Sequence, residues 1–218
     1  MNVPGTKRDR TRNRLLVATQ QLLRETSAGA IGIRDITQRA QMSHASFYNY
    51  FESVEELLDN LSLLFAFTHA QKLAEATIGR EDVGEIFSIS TRQTLLFMAD
   101  SPEYGHYIFD AGMRIDHFAT GMRQSLRFDL QRGIDEKTFV IENLDLMLSL
   151  IAGSVLGIAL GIYRSELSSA DIQPATAQLL QILGVSPARA QLLATAEFRP
   201  VPAPMLPLEW PISDPLGK

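Results

Sequence analysis

The stretch that decides the reading is IRDITQRAQMSHASFYNYF, residues 33–51. Ile33, Ile36 and Ala40 recur at spacings of three and four, the period of a short amphipathic helix. Gln41, Met42 and Ser43 break that period, and the Ser43 hydroxyl is suited to cap a following helix. That helix is expected from His44 to about Tyr50. Phe47 and Phe51, four apart, form its inner side. His44, Ala45, Ser46, Tyr48 and Asn49 form a small, polar outer side. Two short helices joined by a tight turn predict a helix-turn-helix over residues 32–51. Its second helix has the outer surface that a DNA major groove requires.

Working outward, residues 10–25 place Leu15, Leu16, Ala18, Leu22 and Leu23 on one helical face. Ala28-Gly29-Ala30 ends that helix. On the other side, Ser53 is a good N-cap and Glu55 and Glu56 suit the positive end of the helix dipole. The run Leu57, Leu58, Leu61, Leu64 and Phe65 continues toward Ala76, and Gly79 closes it. At about 1.5 Å per residue such a helix is long enough to leave the head and enter the rest of the chain.

The remainder also reads as helix, near 82–99, 103–111, 112–132, 140–165, 171–183 and 187–197, with boundaries at Ser101-Pro102, Gly133 and Gly184. Ser186-Pro187 reads as an N-cap followed by proline at the first helical position. Proline at 200, 202, 204, 207, 211 and 215 forbids a helix there and predicts an extended tail. The expected fold class is all-α: an N-terminal three-helix head with a C-terminal helical bundle. The expected domains are 8–68 for the head, 69–199 for the bundle and 200–218 for the tail.

Composition excludes several classes. Of the 218 residues 45% are hydrophobic and 21% charged, values of a soluble globular chain. There is no cysteine, so disulfides, thiolate metal sites and a cysteine nucleophile are excluded. The basic opening MNVPGTKRDRTRNR leads into no short apolar run, so no secretory signal is expected and the location is taken as cytoplasmic. The net charge of −5 conceals an uneven distribution. Residues 1–50 hold eight Lys/Arg against three acids, and the rest holds 12 against 22. A basic head on an acidic body is the footprint of a DNA-facing module.

Residues 33–58, from Ile33 through Phe47-Tyr48-Asn49-Tyr50-Phe51 to Leu58, resemble the head of the tetracycline-repressor (TetR) family. That pattern is an isoleucine helix ending in alanine, a short turn, serine with two small residues, Phe/Leu-Tyr-x-Tyr/His-Phe, then an acidic helix start. The resemblance covers about residues 10–60. Gln41 stands where glycine is usual, Gly32-Ile33 where threonine is usual, and Val54 where lysine is usual. Gln41 then either needs no positive φ or tolerates one at some cost. Two expected phosphate contacts are missing, and the arginines from Arg8 to Arg14 are candidates to replace them. The candidate DNA contacts are Arg8, Arg10, Arg34, Thr37, Ser43, His44, Ala45, Ser46, Tyr48, Asn49 and Tyr50.

What the resemblance implies is a homodimeric transcriptional regulator on a palindromic operator in double-stranded DNA. A small-molecule effector in the helical body would release it, as expected of a repressor. The body is rich in aromatics and methionines, each of which core packing also explains. As a group they are candidates to line an apolar pocket: Phe65, His69, Phe97, Met98, Tyr107, Met113, Phe118 and Met122. Glu103-x-x-His106 and Asp116-His117 are weak hints of metal, and no metal site or cofactor is expected. Residues 146–163, LMLSLIAGSVLGIALGIY, carry no charge, and Gly153, Gly157 and Gly161 repeat every four residues. Such a run suits either a membrane span or a close helix contact between two copies. Acids at 142 and 145 and Arg164 flank it tightly, which favours a dimer interface and no membrane partner. No phosphate loop, nucleophile elbow, H-E-x-x-H or dinucleotide fingerprint occurs, so no enzyme and no catalytic residue is expected.

Overall fold

The computed structural model describes residues 6–112 and 115–211, without the side chains at 115–119 and 121. Among the described residues all regular structure is helical: α1 (Lys7–Leu23), α2 (Ile33–Arg39), α3 (His44–Phe47), α4 (Val54–Ala76), α5 (Val83–Asp100), α6 (Pro102–Phe109), α7 (Ile115–Asp135), α8 (Leu144–Tyr163), α9 (Ile172–Ile182) and α10 (Pro187–Thr195). Short 3-10 turns occupy Ala28–Ala30 and Ser169–Asp171. The expected all-helical class holds. Most helices lie within a few residues of their expected bounds. The third is shorter: regular helix stops at Phe47, and 48–50 form a turn.

The chain falls into two compact units. One comprises Met1–Phe65, His106–Phe118 and Met205–Lys218, the other Ala66–Gly105 and Ala119–Pro204. The grouping is therefore not consecutive in sequence, and α4, α6 and α7 each contribute residues to both.

In the first unit α1 packs on α2, and α2 on α3. Leu15, Leu16, Leu23, Ile36, Phe47, Leu57 and Leu61 are at most 1% exposed. Each contributes roughly 1.5–3 kcal/mol by leaving water. A reciprocal cap starts α1: Thr6 Oγ1 accepts from Asp9 N–H (3.2 Å) and Asp9 Oδ2 accepts from Thr6 N–H (2.9 Å). At α2 the cap residue is Gly32, which has no side chain. Only the return bond exists there, Gly32 N–H to Asp35 Oδ2 at 2.9 Å.

In the second unit α5 packs against α8, α9 and α10, and α9 against α10. Asp82 caps α5 through Gly84 N–H and Glu85 N–H (2.8 and 3.1 Å), and Asn143 caps α8 through Leu146 N–H (3.0 Å). Gly184 ends the α9 turn at φ +87°, and a Cβ there would lie 2.7 Å from the Val140 Cβ. Glycine is required by both conformation and space.

Over residues 200–211 the tail forms no helix, as its prolines dictate, and it is gripped by side-chain amides. Gln93 donates to Val201 O (3.0 Å) and accepts from Val201 N–H (2.8 Å). Gln20 does the same with Leu208 (2.8 and 2.7 Å), and Asn13 with Trp210 (3.0 and 3.1 Å). The three amides pair the backbone N–H and carbonyl groups of Val201, Leu208 and Trp210, which no regular structure satisfies.

Candidate nucleic-acid interface and effector cavity

Ser43 Oγ accepts from Ser46 N–H at 3.2 Å, fixing the start of α3. The two serine hydroxyls lie 2.7 Å apart. Phe47 is fully buried and packs on Phe51, ring centroids 5.9 Å apart, which pins the inner side. His44, Ala45 and Asn49 are then turned outward, Tyr48 is 54% exposed, and Tyr50 is half-buried. The His44 and Tyr48 rings meet edge-on at 5.5 Å, one turn apart on the outer face. This is the surface that groove docking needs: polar, low in bulk and backed by a rigid core.

The turn that aims α3 is built on Gln41, whose φ is +55°. Of the two alternatives open in the sequence, a left-handed glutamine is the one adopted. Met42 N–H bonds to Thr37 O at 2.8 Å and Gln41 N–H to Gln38 O at 3.1 Å, which hold the turn closed.

The arginines divide into two sets. Arg8 and Arg10 lie in the first turns of α1, and both are exposed, as is Arg34 on α2. Arg12 and Arg14 are engaged within the unit. Arg12 donates to Asn60 Oδ1 (2.5 Å) and sits over Phe51 and Trp210 at 5.5 and 5.9 Å. Arg14 donates to Ala40 O at 2.5 Å. Thr37 is only 4% exposed and donates to Ile33 O at 2.9 Å, so it faces inward, unlike the other candidate contacts.

The second unit contains a cavity of about 250 Å³ between α4, α5, α7 and α8. Leu73, Ile86, Phe87, Leu126, Ile151, Val155 and Leu156 are among the apolar residues of its wall. Of the residues expected there, His69 and Met122 line it. Phe97 and Met98 do not; they are 1% and 4% exposed and fill the α5 core. Phe65 and Tyr107 belong to the other unit, where their rings pack at 5.2 Å and the Tyr107 hydroxyl donates to Gln20 O at 2.8 Å. Met113 and the Phe118 side chain lie outside the described residues.

His69 is wholly buried. Its Nδ1 is 3.2 Å from the Tyr104 hydroxyl and its Nε2 3.0 Å from Thr94 Oγ1. Burial pulls the imidazole down to about 4, so it is neutral at physiological pH, and burial pushes the Tyr104 phenol up. Asp129, on the α7 wall, was not singled out by sequence reasoning. Burial raises its carboxyl to about 6, with Arg132 acting in the opposite sense. Arg123, also in the wall, donates to Ser149 Oγ at 3.1 Å.

Of the weak metal hints, His106 Nε2 lies 2.9 Å from Leu23 O, and Asp116-His117 fall outside the described side chains. Among the described residues no group of three or more acids and histidines converges.

On α8, Leu146, Leu150, Gly153 and Gly157 share an exposed stripe, and a Cβ at either glycine would meet nothing within 4 Å. Gly161 differs: it is buried, and a Cβ there would sit 3.0 Å from Leu167. The helix is long and apolar enough to cross a membrane by length and composition, a test that the core helix of a soluble protein also passes.

A family model described as bacterial regulatory proteins, tetR family, matches residues 15–61. A second, described as Tetracyclin repressor-like, C-terminal domain, matches residues 82–196. No curated protein matches the chain. Among solved structures, RolR in complex with resorcinol is 26% identical, with a TM-score of 0.69 over 91% of this chain and 97% of that one. Two others share the fold. The fatty acid degradation regulator FadR from Bacillus halodurans is 17% identical, with TM-score 0.61 over 86% and 97% of the two chains. The reduced form of E. coli NemR is 18% identical, with TM-score 0.62 over 81% and 100%.

Proposed function

The chain belongs to the TetR family of bacterial regulatory proteins, and from that premise we propose that it is a homodimeric, cytoplasmic repressor released from a palindromic operator by a small, largely apolar effector. The observation that carries the reading is the outer face of α3. Four exposed residues, His44, Ala45, Tyr48 and Asn49, stand on a buried Phe47, and Arg8, Arg10 and Arg34 of the same unit are also exposed. In this reading residues 8–68 form the DNA-binding domain and 69–199 bind effector and dimerise, with 200–218 as the tail.

His44, Ala45, Ser46 and Asn49 face base edges. Arg8, Arg10, Arg34, Ser43, Tyr48 and Tyr50 face phosphates and fix the register. Thr37 supports them from behind by bonding back along α2. The exposed stripe of α8 joins two copies, Gly153 and Gly157 allowing close approach, while Gly161 is already packed on Leu167. Two heads on successive major grooves must be spaced by about 34–36 Å or a multiple of it. An effector that shifts this spacing spoils one of the two dockings. RolR has been solved with resorcinol, which supports a ring-sized effector for the cavity between α4, α5, α7 and α8.

Selection of bound sequences from randomised duplexes tests the DNA reading. The wild type should enrich an inverted repeat, and His44→Ala should change the preferred bases. Each misread base pair is worth about 1–3 kcal/mol. A wild type that enriches nothing, or a His44→Ala variant with the wild-type preference, contradicts it.

A further inference from the structure

The effector cavity carries more chemistry than its apolar wall. Two charged side chains line it, Asp129 and Arg123, both from α7. The lining residues of α4, α5 and α8 add no charge, since His69 is neutral and already bonded at both nitrogens. The Asp129 carboxyl has no hydrogen bond or ion pair among the described residues. Elsewhere in this unit Asp82 pairs with Arg189 and Glu85 with Arg80.

A half-buried carboxyl without a donor is a costly arrangement, and the cost falls when a ligand supplies the donor. Charge then selects among ligands. A carboxylate ligand is repelled by Asp129 and finds Arg123 already bonded to Ser149. An ammonium ligand, though drawn to Asp129, must shed its water against an apolar wall that also holds Arg123. A purely apolar ligand displaces water from Asp129 and returns nothing. An uncharged hydroxyl compound satisfies the carboxylate and fits the apolar wall. Size sets the rest: a dry cavity of about 150 Å³ holds benzene, so about 250 Å³ holds one ring with small substituents.

We propose that the effector is an uncharged, ring-sized hydroxyl compound whose hydroxyl donates to the Asp129 carboxylate. The proposal rests on the reading of this cavity as the effector site. Asp129 is then a specificity-determining residue. The elevation of its carboxyl to about 6 leaves it mostly ionised at neutral pH, the form that accepts.

Calorimetry on the full-length protein at pH 7.5 tests this with four probes: resorcinol, benzoate, benzylamine and toluene. Resorcinol should bind the wild type at least tenfold more tightly than either charged ring. Asp129→Leu should lose tenfold or more for resorcinol while holding toluene at least as well. Asp129→Asn, which keeps an acceptor oxygen, should fall between. The leucine variant should also melt higher than the wild type without ligand, which separates lost recognition from lost folding. Resorcinol binding that ignores Asp129→Leu, or a preference for benzoate or benzylamine, overturns the proposal. If toluene binds and resorcinol does not, the cavity reading stands and the hydroxyl assignment falls. If no probe binds, the effector reading of the cavity falls, and the proposal with it.

Discussion

At Gln41 the chain holds a glutamine in a left-handed conformation, φ +55°, to aim the helix that follows. That conformation costs an ordinary residue about 1–2 kcal/mol, against roughly 0.5–1 kcal/mol of extra chain entropy for glycine. Gln41→Gly should therefore stabilise the head by about 0.5–1 kcal/mol, read from urea unfolding; a loss of stability would mean that the glutamine side chain makes a compensating contact. The sequence left both backbone states open at this position, because a side chain's identity does not report its φ. Two further residues set the acid response. His69 titrates near 6.5 when unfolded and about 4 when folded, so unfolding takes up a proton between those values. Its contribution, on the order of 3 kcal/mol, is present above about pH 6.5 and is lost as the pH falls toward 4. Asp129 has the opposite sign, its folded carboxyl at about 6 lying above its unfolded value of 3.8. Between those values the folded state holds the extra proton, so this group's contribution weakens as the pH rises. The two slopes partly cancel from about pH 4 to 6. Asp129→Asn should uncover the steeper His69 slope in stability measured against pH, and an unchanged slope would contradict the opposed titrations. Neither shift was legible beforehand. His69 was singled out only as a polar handle. Asp129 looked like one more surface acid, although it falls seven residues after Met122 and three after Leu126, on the same helical side.

At the scale of elements the helices were legible because their apolar residues repeat with helical period and their ends carry Ser, Asp, Asn, Gly or Pro. The recognition helix was read three residues too long, since Tyr48, Asn49 and Tyr50 continue its pattern as a turn. The tail's lack of helix was legible from its prolines, but its grip was not. Asn13, Gln20 and Gln93 look like ordinary helix polar residues, yet each lies at a buried phase, at most 5% exposed. Gln20 follows Leu16 by four and precedes Leu23 by three, a position where a polar residue needs a buried partner. Gln20→Leu leaves the Leu208 N–H and carbonyl without partners and should cost roughly 2–4 kcal/mol, seen as a lower melting temperature. Truncation after residue 204 should produce a comparable loss; if neither change lowers stability, the tail is not held as described. On α8 the open space over Gly157 makes a second prediction. Gly157→Leu should drive the protein toward monomer in sedimentation without detergent, because overfilling a close contact costs about 1–3 kcal/mol per site and symmetry applies it twice. A variant that stays fully dimeric removes the glycine stripe from the interface.

At the scale of the whole molecule the charge is divided by sequence. The first 50 residues carry eight Lys/Arg against three acids, while the remainder is strongly acidic and brings the total to −5. The basic first 50 residues attract DNA and the acidic remainder repels it. The identity of the effector was not legible at all in the sequence, because the aromatic residues that suggested a pocket mostly serve packing. The cavity wall comes instead from four helices brought together by the fold. The central claim, that this chain is a reader of DNA through α1 to α3, is tested most directly by affinity for the selected duplex across a range of salt concentrations. Log affinity should fall steeply with log salt as counterions leave, and Arg10→Ala should reduce the slope by about 0.9 while preserving sequence preference. An affinity that does not change with salt, or an Arg10→Ala variant with the wild-type slope, would contradict the account.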